Sequence, residues 1–528
     1  MDFTAGVLLW IECLVGLSLG VTMLGVLVQK LRGSKLKLPP GPGAYPFVGS
    51  FPQLGAVPGE PAHRMFKRLE QKYGPIVFMK MGSCPTIIVS DSETAKMVLK
   101  DQDNLFASRP SLSVGKYLGF SYTNLVWTQM GDHHKLLRKI YTTELLSPKR
   151  VTQSHEVREN GIRTTISGML EDSSNGKPTN LTVELNNLSL NNLLNMLLGK
   201  RKGEMLGGVS LSMEELKDLV REAIELAGEF DYGDYLPLAR WLDLTNFIGR
   251  MKKTQQRMRV IAGKLIEGHR QQQRSGQQKE SQGDLTLLDV LLSLKGDCAL
   301  SDDAIIGVIF DMIIAGSDTT SASADWTIAE LMANPHLMKK LQVHIDSVVG
   351  KERLVKESDL PHLPFLHSVI KESLRLHAPA PLGVPHCSVQ ATKLAGYDIP
   401  IGTTVLINLW ALNRDPKNWL NAEDFHPERF EENDINLFGR DFTLLPFSSG
   451  RRGCSGMLLG FTSIQLIVAT VVHAFDLEPY GMQASEIDLN HEKPGLTMLR
   501  AEDLVVKASP RLPLHLYDNL LEIKDHQL

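Results

Sequence analysis

The stretch PFSSGRRGCSG, Pro446 to Gly456, places one cysteine among glycines, serines and two arginines, between two apolar runs. A free cysteine is usually a small buried residue with no chemistry of its own. Whether Cys454 is such a residue or a reactive centre is decided by the rest of the chain.

The chain has 528 residues, more than one domain usually holds, so two domains are the default expectation from length. Hydrophobic residues make up 43% and charged residues 22%, which suits a soluble body with a sizeable core. A net charge of −4 gives no basic footprint for nucleic acid. The five cysteines (Cys13, Cys84, Cys298, Cys387 and Cys454) are odd in number and scattered, with no CxxC pair. They form neither a disulfide framework nor a zinc site, and they suit a reducing compartment.

The N-terminus departs from that soluble character. Phe3 to Val28 is almost wholly apolar, broken by Glu12 and a few hydroxyls. As a helix it would extend roughly 39 Å, enough to cross a hydrocarbon core of about 30 Å. A cleaved signal has a shorter apolar region preceded by positive charge. Here Lys30, Arg32, Lys35 and Lys37 follow instead, and the positive-inside bias keeps them, and all that comes after, cytoplasmic. Glu12 fits such a span near the lumenal interface or in its neutral form. The expected organisation is a transmembrane signal-anchor at 3–28, a basic and proline-rich hinge at 29–50, and a body at 51–528.

In the hinge, LPPGPGAYPFVGS (Leu38–Ser50) is neither helix nor central strand, because proline fixes φ and lacks a donor. It reads as a stiff spacer. IVFMKMG and TIIVS (Ile76–Gly82, Thr86–Ser90) read as two strands joined by a Ser-Cys-Pro turn. Helical signals dominate afterwards, as in SMEELKDLVREAIELAGEF, Ser212–Phe230. The polar run Arg270 to Asp284 reads as a surface loop or break, with helical pattern on both sides. The longest helix is expected over Ser301 to Pro335, with Ser301 as cap, acids in the first turn and a stop at Asn334-Pro335. Its middle, AGSDTT (Ala315–Thr320), weakens a helix, since glycine and threonine disfavour it. Two readings stand: a small-residue notch for a neighbouring helix, or a local opening beside a buried reaction centre.

Glu372 and Arg375 in KESLRLH lie three apart on one helical face. Alone they could be an exposed pair worth under about 1 kcal/mol. HPERF, with Arg429, follows, and PFSSGRRGCSG comes after that. In that order, the long helix with AGSDTT, then ExxR, PERF and FxxGxRxCxG, the chain resembles a membrane-anchored eukaryotic cytochrome P-450. Apart from the anchor, the resemblance covers essentially the whole chain, and Phe447, Gly450, Arg452, Cys454 and Gly456 of the signature are all in place.

The resemblance implies a mainly α fold with small β-sheets, preceded by one transmembrane helix, and a catalytic domain over 51–528. It implies haem b, held by Cys454 as axial thiolate, which favours O–O cleavage over reversible oxygen binding. Glycines at Gly450, Gly453 and Gly456 would let backbone N–H groups approach the sulfur. Arg452, Arg138 and His386 are the implied partners of the haem propionates. His134 stands where the family usually has Trp, and reads either as a further propionate donor or as a surface histidine. Glu372, Arg375 and Arg429 are the implied buried ionic network behind the haem, governing folding and haem retention. Thr319 and Asp318 match the family's proton-delivery pair, Thr319 holding partly reduced oxygen or an ordered water while Asp318 connects to solvent.

The implied reaction consumes O2 and NADPH and hydroxylates a substrate. No GxGxxG after a strand and no Walker loop is present, so electrons come from a partner, an acidic NADPH–cytochrome reductase, with cytochrome b5 as a second donor. Lys135, Arg138, Lys139, Arg440 and Arg451 are candidate docking charges. PPGP, ASRP, DYLPLARWLDL and NLWALNRDPKNW resemble plant microsomal members, which places the protein in the endoplasmic reticulum membrane. Family substrate contacts fall at Ser111–Leu125, Tyr232–Leu236, Ile314, Ala315, Leu382, Gly383 and Val384. These segments are small, apolar and sparsely charged, and APLGV offers no cation for a carboxylate. They favour a phenylpropanoid or flavonoid ring over an in-chain fatty acid, a terpenoid or an amino acid to be N-hydroxylated. A non-catalytic haem-binding membrane scaffold is a further reading, weighed down by the intact AGSDTT. A cysteine hydrolase lacks His and Asp context near Cys454.

Overall fold

The computed structural model describes residues 36–517 apart from 56, 58, 200–204, 207–208, 211–212, 237–242, 244, 275–285, 434 and 494. The expected anchor at 3–28 lies outside these residues, as does most of the polar run 270–284. The part of that run up to Arg274 continues a helix, Phe247–Arg274, rather than starting a loop.

The elements that position the site are, in chain order, β1 (Ile76–Met81), β2 (Cys84–Val89), α1 (Asp132–Lys139), α2 (His155–Ser174), α3 (Leu181–Leu198), α4 (Asp302–Ala333), α5 (Pro364–Leu376), β3 (His386–Cys387), β4 (Thr404–Ile407) and α6 (Met457–Ala474). Helices dominate, and the sheets are small. The largest runs β1-β2-β4-β3, with β2 and β4 parallel and the other pairs antiparallel. Met81 pairs with Cys84, so the turn between β1 and β2 is Gly82-Ser83 and not Ser-Cys-Pro. Gly82 takes the positive φ (58°) that so short a turn requires, and Pro85 sits at the start of β2, where a missing donor is tolerated.

The proline-rich segment is not a free spacer. Pro40 accepts from the Phe78 N–H at 2.9 Å, Ser50 donates to Lys80 at 2.7 Å, and Gly49 bridges Met81. A Cβ on Gly41 would lie 1.7 Å from the Phe78 carbonyl oxygen, so only glycine lets the chain lie this close to β1. Prolines lower the entropy lost on docking, and the strand supplies the donors that prolines lack.

Helix α4 begins as its sequence signals: Ser301 Oγ accepts from the Ala304 N–H at 3.2 Å, with Asp302 and Asp303 in the first turn. It then runs unbroken through AGSDTT, so the local opening is absent. The hydroxyls bond back one turn instead, Ser317 to the Ile313 carbonyl and Thr319 to the Ala315 carbonyl, each at 2.6 Å. The notch reading holds for Gly316, whose missing Cβ would lie 2.8 Å from Leu193 Cδ1 on α3. The first half of α4 packs with Leu194 and Met258; the second half joins Ile166, Leu188, Val369 and Ile467 of α2, α3, α5 and α6. One helix thus threads both main apolar clusters. Helices α4 and α6 are long and apolar enough to cross a membrane, yet 67% and 72% of their apolar windows are buried inside the body, which makes them core helices.

Substituting Gly41→Ala is expected to lift the 38–50 segment off β1 and to lower stability by about 1–3 kcal/mol. Urea unfolding of the holoprotein measures it, and an unchanged midpoint would contradict the docking described.

Candidate active site

The loop before α6 is shaped by one obligatory glycine. Gly450 has φ +69°, and a Cβ there would meet the Leu99 carbonyl oxygen at 1.9 Å. Gly453 and Gly456 have ordinary negative φ; a Cβ on Gly453 would still lie 3.3 Å from the Gly450 carbonyl oxygen, and the Gly456 N–H reaches the Cys454 sulfur. Phe447 packs half-buried against the core, and its carbonyl accepts from the Cys454 N–H at 2.9 Å. Cys454 stands just before the N-terminus of α6, whose positive end favours a thiolate. Cys454 is exposed as a residue, whereas Cys84, Cys298 and Cys387 are half-buried. Protein nonetheless surrounds the Cys454 sulfur, and burial pushes the thiol up; the Gly456 N–H and the nearby Arg138 pull it down.

Around this loop lie three guanidiniums and two imidazoles. Arg138 on α1 donates to the Gly453 carbonyl, and to Ser455 Oγ at 2.8 Å. Arg452 donates to the carbonyls of Ala107 (2.7 Å), Leu125 (3.1 Å) and Thr128. Arg109, 5% exposed, donates to Val126 (2.9 Å), Val384 (2.9 Å) and Pro385 (2.7 Å). His386 on β3 faces the Phe106 carbonyl at 3.2 Å. His134 is buried, which overturns its reading as a surface histidine, and both of its ring nitrogens lack a partner. Burial, then the guanidiniums of Arg452, Arg138 and Arg109, push His134 down to about 4. Burial and Arg109 push His386 down to about 3, and burial with Arg138 brings Arg452 down to about 10. Among the described residues none of these five has a carboxylate partner. The guanidiniums are held by carbonyls and one serine hydroxyl.

Arg109 escaped the sequence reading, where ASRP served only as a stylistic likeness. Nothing local marks it: Arg109 stands between Ser108 and Pro110 with Asp103 six residues before, and its role comes from carbonyls on other segments.

The ExxR motif has the opposite character. Glu372 and Arg375 are fully buried and paired at 2.7 and 2.9 Å. Arg429 Nε and the His426 N–H reach the same carboxylate at 3.0 and 2.8 Å. Arg375 also donates to the carbonyls of Asn413, Ala422 and Asp424. Each guanidinium here has a carboxylate partner, the two sharing Glu372.

On α4 the Asp318 and Thr319 side chains bond to different partners. Asp318 meets the Thr497 hydroxyl, a residue the sequence reading missed, and burial raises its carboxyl; its Oδ2 is buried without a partner. Of the pocket candidates, Ile314 and Val384 pack on the cluster around the first half of α4, Leu382 packs on the cluster around β1, and Ala315 is exposed. Gly383 turns the chain between the two, with φ +59°. The Ser111–Leu125 and Tyr232–Leu236 segments meet where the Asp234 carboxylate accepts from the Ser113 N–H and hydroxyl at 2.9 and 2.7 Å. Among the candidate docking charges Arg138 is turned inward, whereas Lys135, Lys139, Arg440 and Arg451 are exposed. Lys96 and Lys100 share a surface hollow with Arg440.

Comparison with known proteins places this geometry. The family profile described as Cytochrome P-450 matches residues 39–505. A Panax ginseng cytochrome P-450 is 39% identical over 487 residues, covering 90% of this chain and 94% of that protein. A flavonoid 3′-monooxygenase of Petunia hybrida is 36% identical over 493 residues, covering 91% and 94%. A zebrafish cytochrome P-450 solved with progesterone shares the fold, with TM-score 0.71, 24% identity and coverage of 86% and 100%. The chain belongs to the cytochrome P-450 family. It is a monooxygenase that carries haem on a cysteine thiolate, draws electrons from a reductase partner and acts on a small molecule. The residues present fit that cofactor: buried and half-buried guanidiniums with no carboxylate partner among the described residues, and two orphaned imidazole nitrogens, suit a group that brings its own carboxylates.

Replacing Glu372 by Gln leaves Arg375 and Arg429 without their anion. A loss of about 3–5 kcal/mol is expected, together with loss of bound haem, read by urea unfolding and by haem content per chain.

Proposed function

We propose that this chain hydroxylates the ring of a phenylpropanoid or flavonoid, with Cys454 as axial thiolate and Thr319 and Asp318 handling protons. The catalytic domain is 51–528, and a single span at 3–28, followed by the hinge at 29–50, anchors it to the endoplasmic reticulum with the body in the cytosol. The uncompensated cations around the Cys454 loop carry the cofactor assignment. The ring class is carried by the flavonoid-monooxygenase relatives and supported by Ile314, Ala315, Leu382, Gly383 and Val384, none of which bears a charge.

Bound haem supplies an iron centre for dioxygen cleavage, made electron-rich by its thiolate. The chain's own groups supply the rest. The Gly456 N–H and the positive end of α6 stabilise the sulfur. Arg109, Arg138 and Arg452 hold the carboxylates, and His134, neutral at pH 7, can donate one N–H. Thr319 spends its proton on the Ala315 carbonyl, which leaves its oxygen lone pairs free to accept from a water. Burial raises the Asp318 carboxyl, so it holds a proton more readily than an exposed aspartate, opposed by its bond to Thr497.

An exposed apolar face supports contact with the bilayer. Tyr45 and Phe47 in the hinge are 53% and 62% exposed, and Tyr232 is 56% exposed. Phe51 joins the two segments, its ring lying 5.7 Å from Phe230 and 6.2 Å from Tyr232. The exposed Lys96, Lys100, Lys135, Lys139, Arg440 and Arg451 are the charges for an acidic reductase or cytochrome b5.

The test is the reduced, carbon-monoxide-bound spectrum of the membrane-expressed protein, followed by titration with phenylpropanoids, flavonoids and fatty acids. A Soret band at the thiolate position, about 450 nm, and a high-spin shift with the ring compounds are expected. A shift with fatty acids alone would sink the ring assignment. In Thr319→Ala, product formed per NADPH is expected to fall on the order of a hundredfold while substrate binding holds; unchanged coupling would remove Thr319 from proton handling.

A further inference from the structure

The first half of α4, IIGVIFDMII (Ile305–Ile314), is apolar except for Asp311. That carboxylate faces the loop that follows Tyr122. Its Oδ1 accepts from Asn124 Nδ2 at 2.6 Å, and its Oδ2 accepts from the N–H groups of Leu125 (2.9 Å) and Val126 (3.3 Å). One turn earlier on α4, Gly307 makes room for the same loop: a Cβ there would lie 2.9 Å from Asn124 Cβ. Asn124 is itself buried, and its Oδ1 accepts from the Trp127 N–H at 3.2 Å. The other edge of the loop is the one whose carbonyls hold the cations, Leu125 and Thr128 for Arg452 and Val126 for Arg109. The loop is therefore clamped from both sides. Its N–H groups point to a carboxylate on α4, and its carbonyls point to guanidiniums beside the Cys454 loop.

We propose that Asp311 is a positioning residue for the haem carboxylate site. It holds the Asn124–Thr128 loop against α4 at the height from which the loop's carbonyls aim Arg109 and Arg452. The peptide units between Asp311 and the two guanidiniums are polarised in one direction, which strengthens each bond in the chain. Burial pushes the Asp311 carboxyl up to about 7, opposed by its bonds to Asn124, Val126 and Leu125. The other titratable group felt at this face is Tyr141, whose hydroxyl donates to the Val308 carbonyl.

The hydrogen-bond pattern dictates the test. In Asp311→Asn the new amide sets its NH2 against a donor, either Asn124 Nδ2 or the Leu125 N–H. Turning Asn124 over to compensate sets its own NH2 against the Trp127 N–H. Combining Asn124→Asp with Asp311→Asn restores every pairing, because the carboxylate then on the loop accepts from both the amide then on α4 and the Trp127 N–H. Haem transfer from the full-length holoenzyme to excess apomyoglobin is followed. Haem is expected to leave Asp311→Asn on the order of tenfold faster, as for loss of a charged hydrogen bond. Gly307→Ala, which displaces Asn124 without touching the carboxylate, is expected to do the same, and the double variant to return to the parental rate. Parental haem loss in either single variant, or a double variant no slower than Asp311→Asn, overturns the proposal. Where Asp311→Asn does not accumulate as holoenzyme, the double variant decides: parental haem retention upholds the proposal, and failure to retain haem refutes it.

Discussion

Positive charge taken out of water without a protein anion is the tension around which this molecule is arranged. Moving one ion into the interior costs several kcal/mol even after relaxation. Arg109, Arg138 and Arg452 share one region with two neutralised imidazoles, and burial lowers all three guanidiniums. Carbonyls from four separate stretches, at Ala107, Leu125 to Thr128, Val384 to Pro385 and Gly453, turn toward them. Carbonyl dipoles moderate such charges and do not cancel them. On the proposed assignment, a dianionic cofactor bound here makes the arrangement favourable, and folding of this region and cofactor binding are then one linked equilibrium.

The Glu372 network uses the same side-chain types and reaches the opposite state. There, two guanidiniums and a backbone N–H converge on a single carboxylate with no exposed surface. Trp419 lies beside both guanidiniums, with centroids 5.2 and 5.9 Å away. A closed set of this kind specifies one packing and has no capacity left for a ligand. Compensation, more than burial, separates scaffold from site in this protein.

Between these two poles runs α4, whose polar residues each answer a different demand. Gly307 and Asp311 receive a loop, Gly316 receives Leu193, Thr319 keeps its hydroxyl accessible, and Asp325 accepts from Thr182 at 2.8 Å. A helix that is apolar on all sides buries easily but cannot register its neighbours. The interruptions supply that register, with Gly307, Asp311 and Asp325 along one side of the helix and Gly316 and Thr319 on others.

Much of this was legible in the chain. The order of AGSDTT, ExxR, PERF and the cysteine signature announces the family and its helical fold, and Ser301 with its following acids marks where α4 begins. Such features depend on local backbone chemistry or on short fixed spacings. Reading failed where the partner is distant in sequence. Nothing near His134 says that it is buried among three arginines, and nothing near Pro40 says that Phe78 will bond to it. Arg109, Thr497 and Asp311 look unremarkable in isolation, because each acquires its meaning from carbonyls, carboxyls or N–H groups on other segments. Sequence spells out which chemistry the chain can perform; only the packed fold decides which charges find a counter-charge and which are left to hold a cofactor.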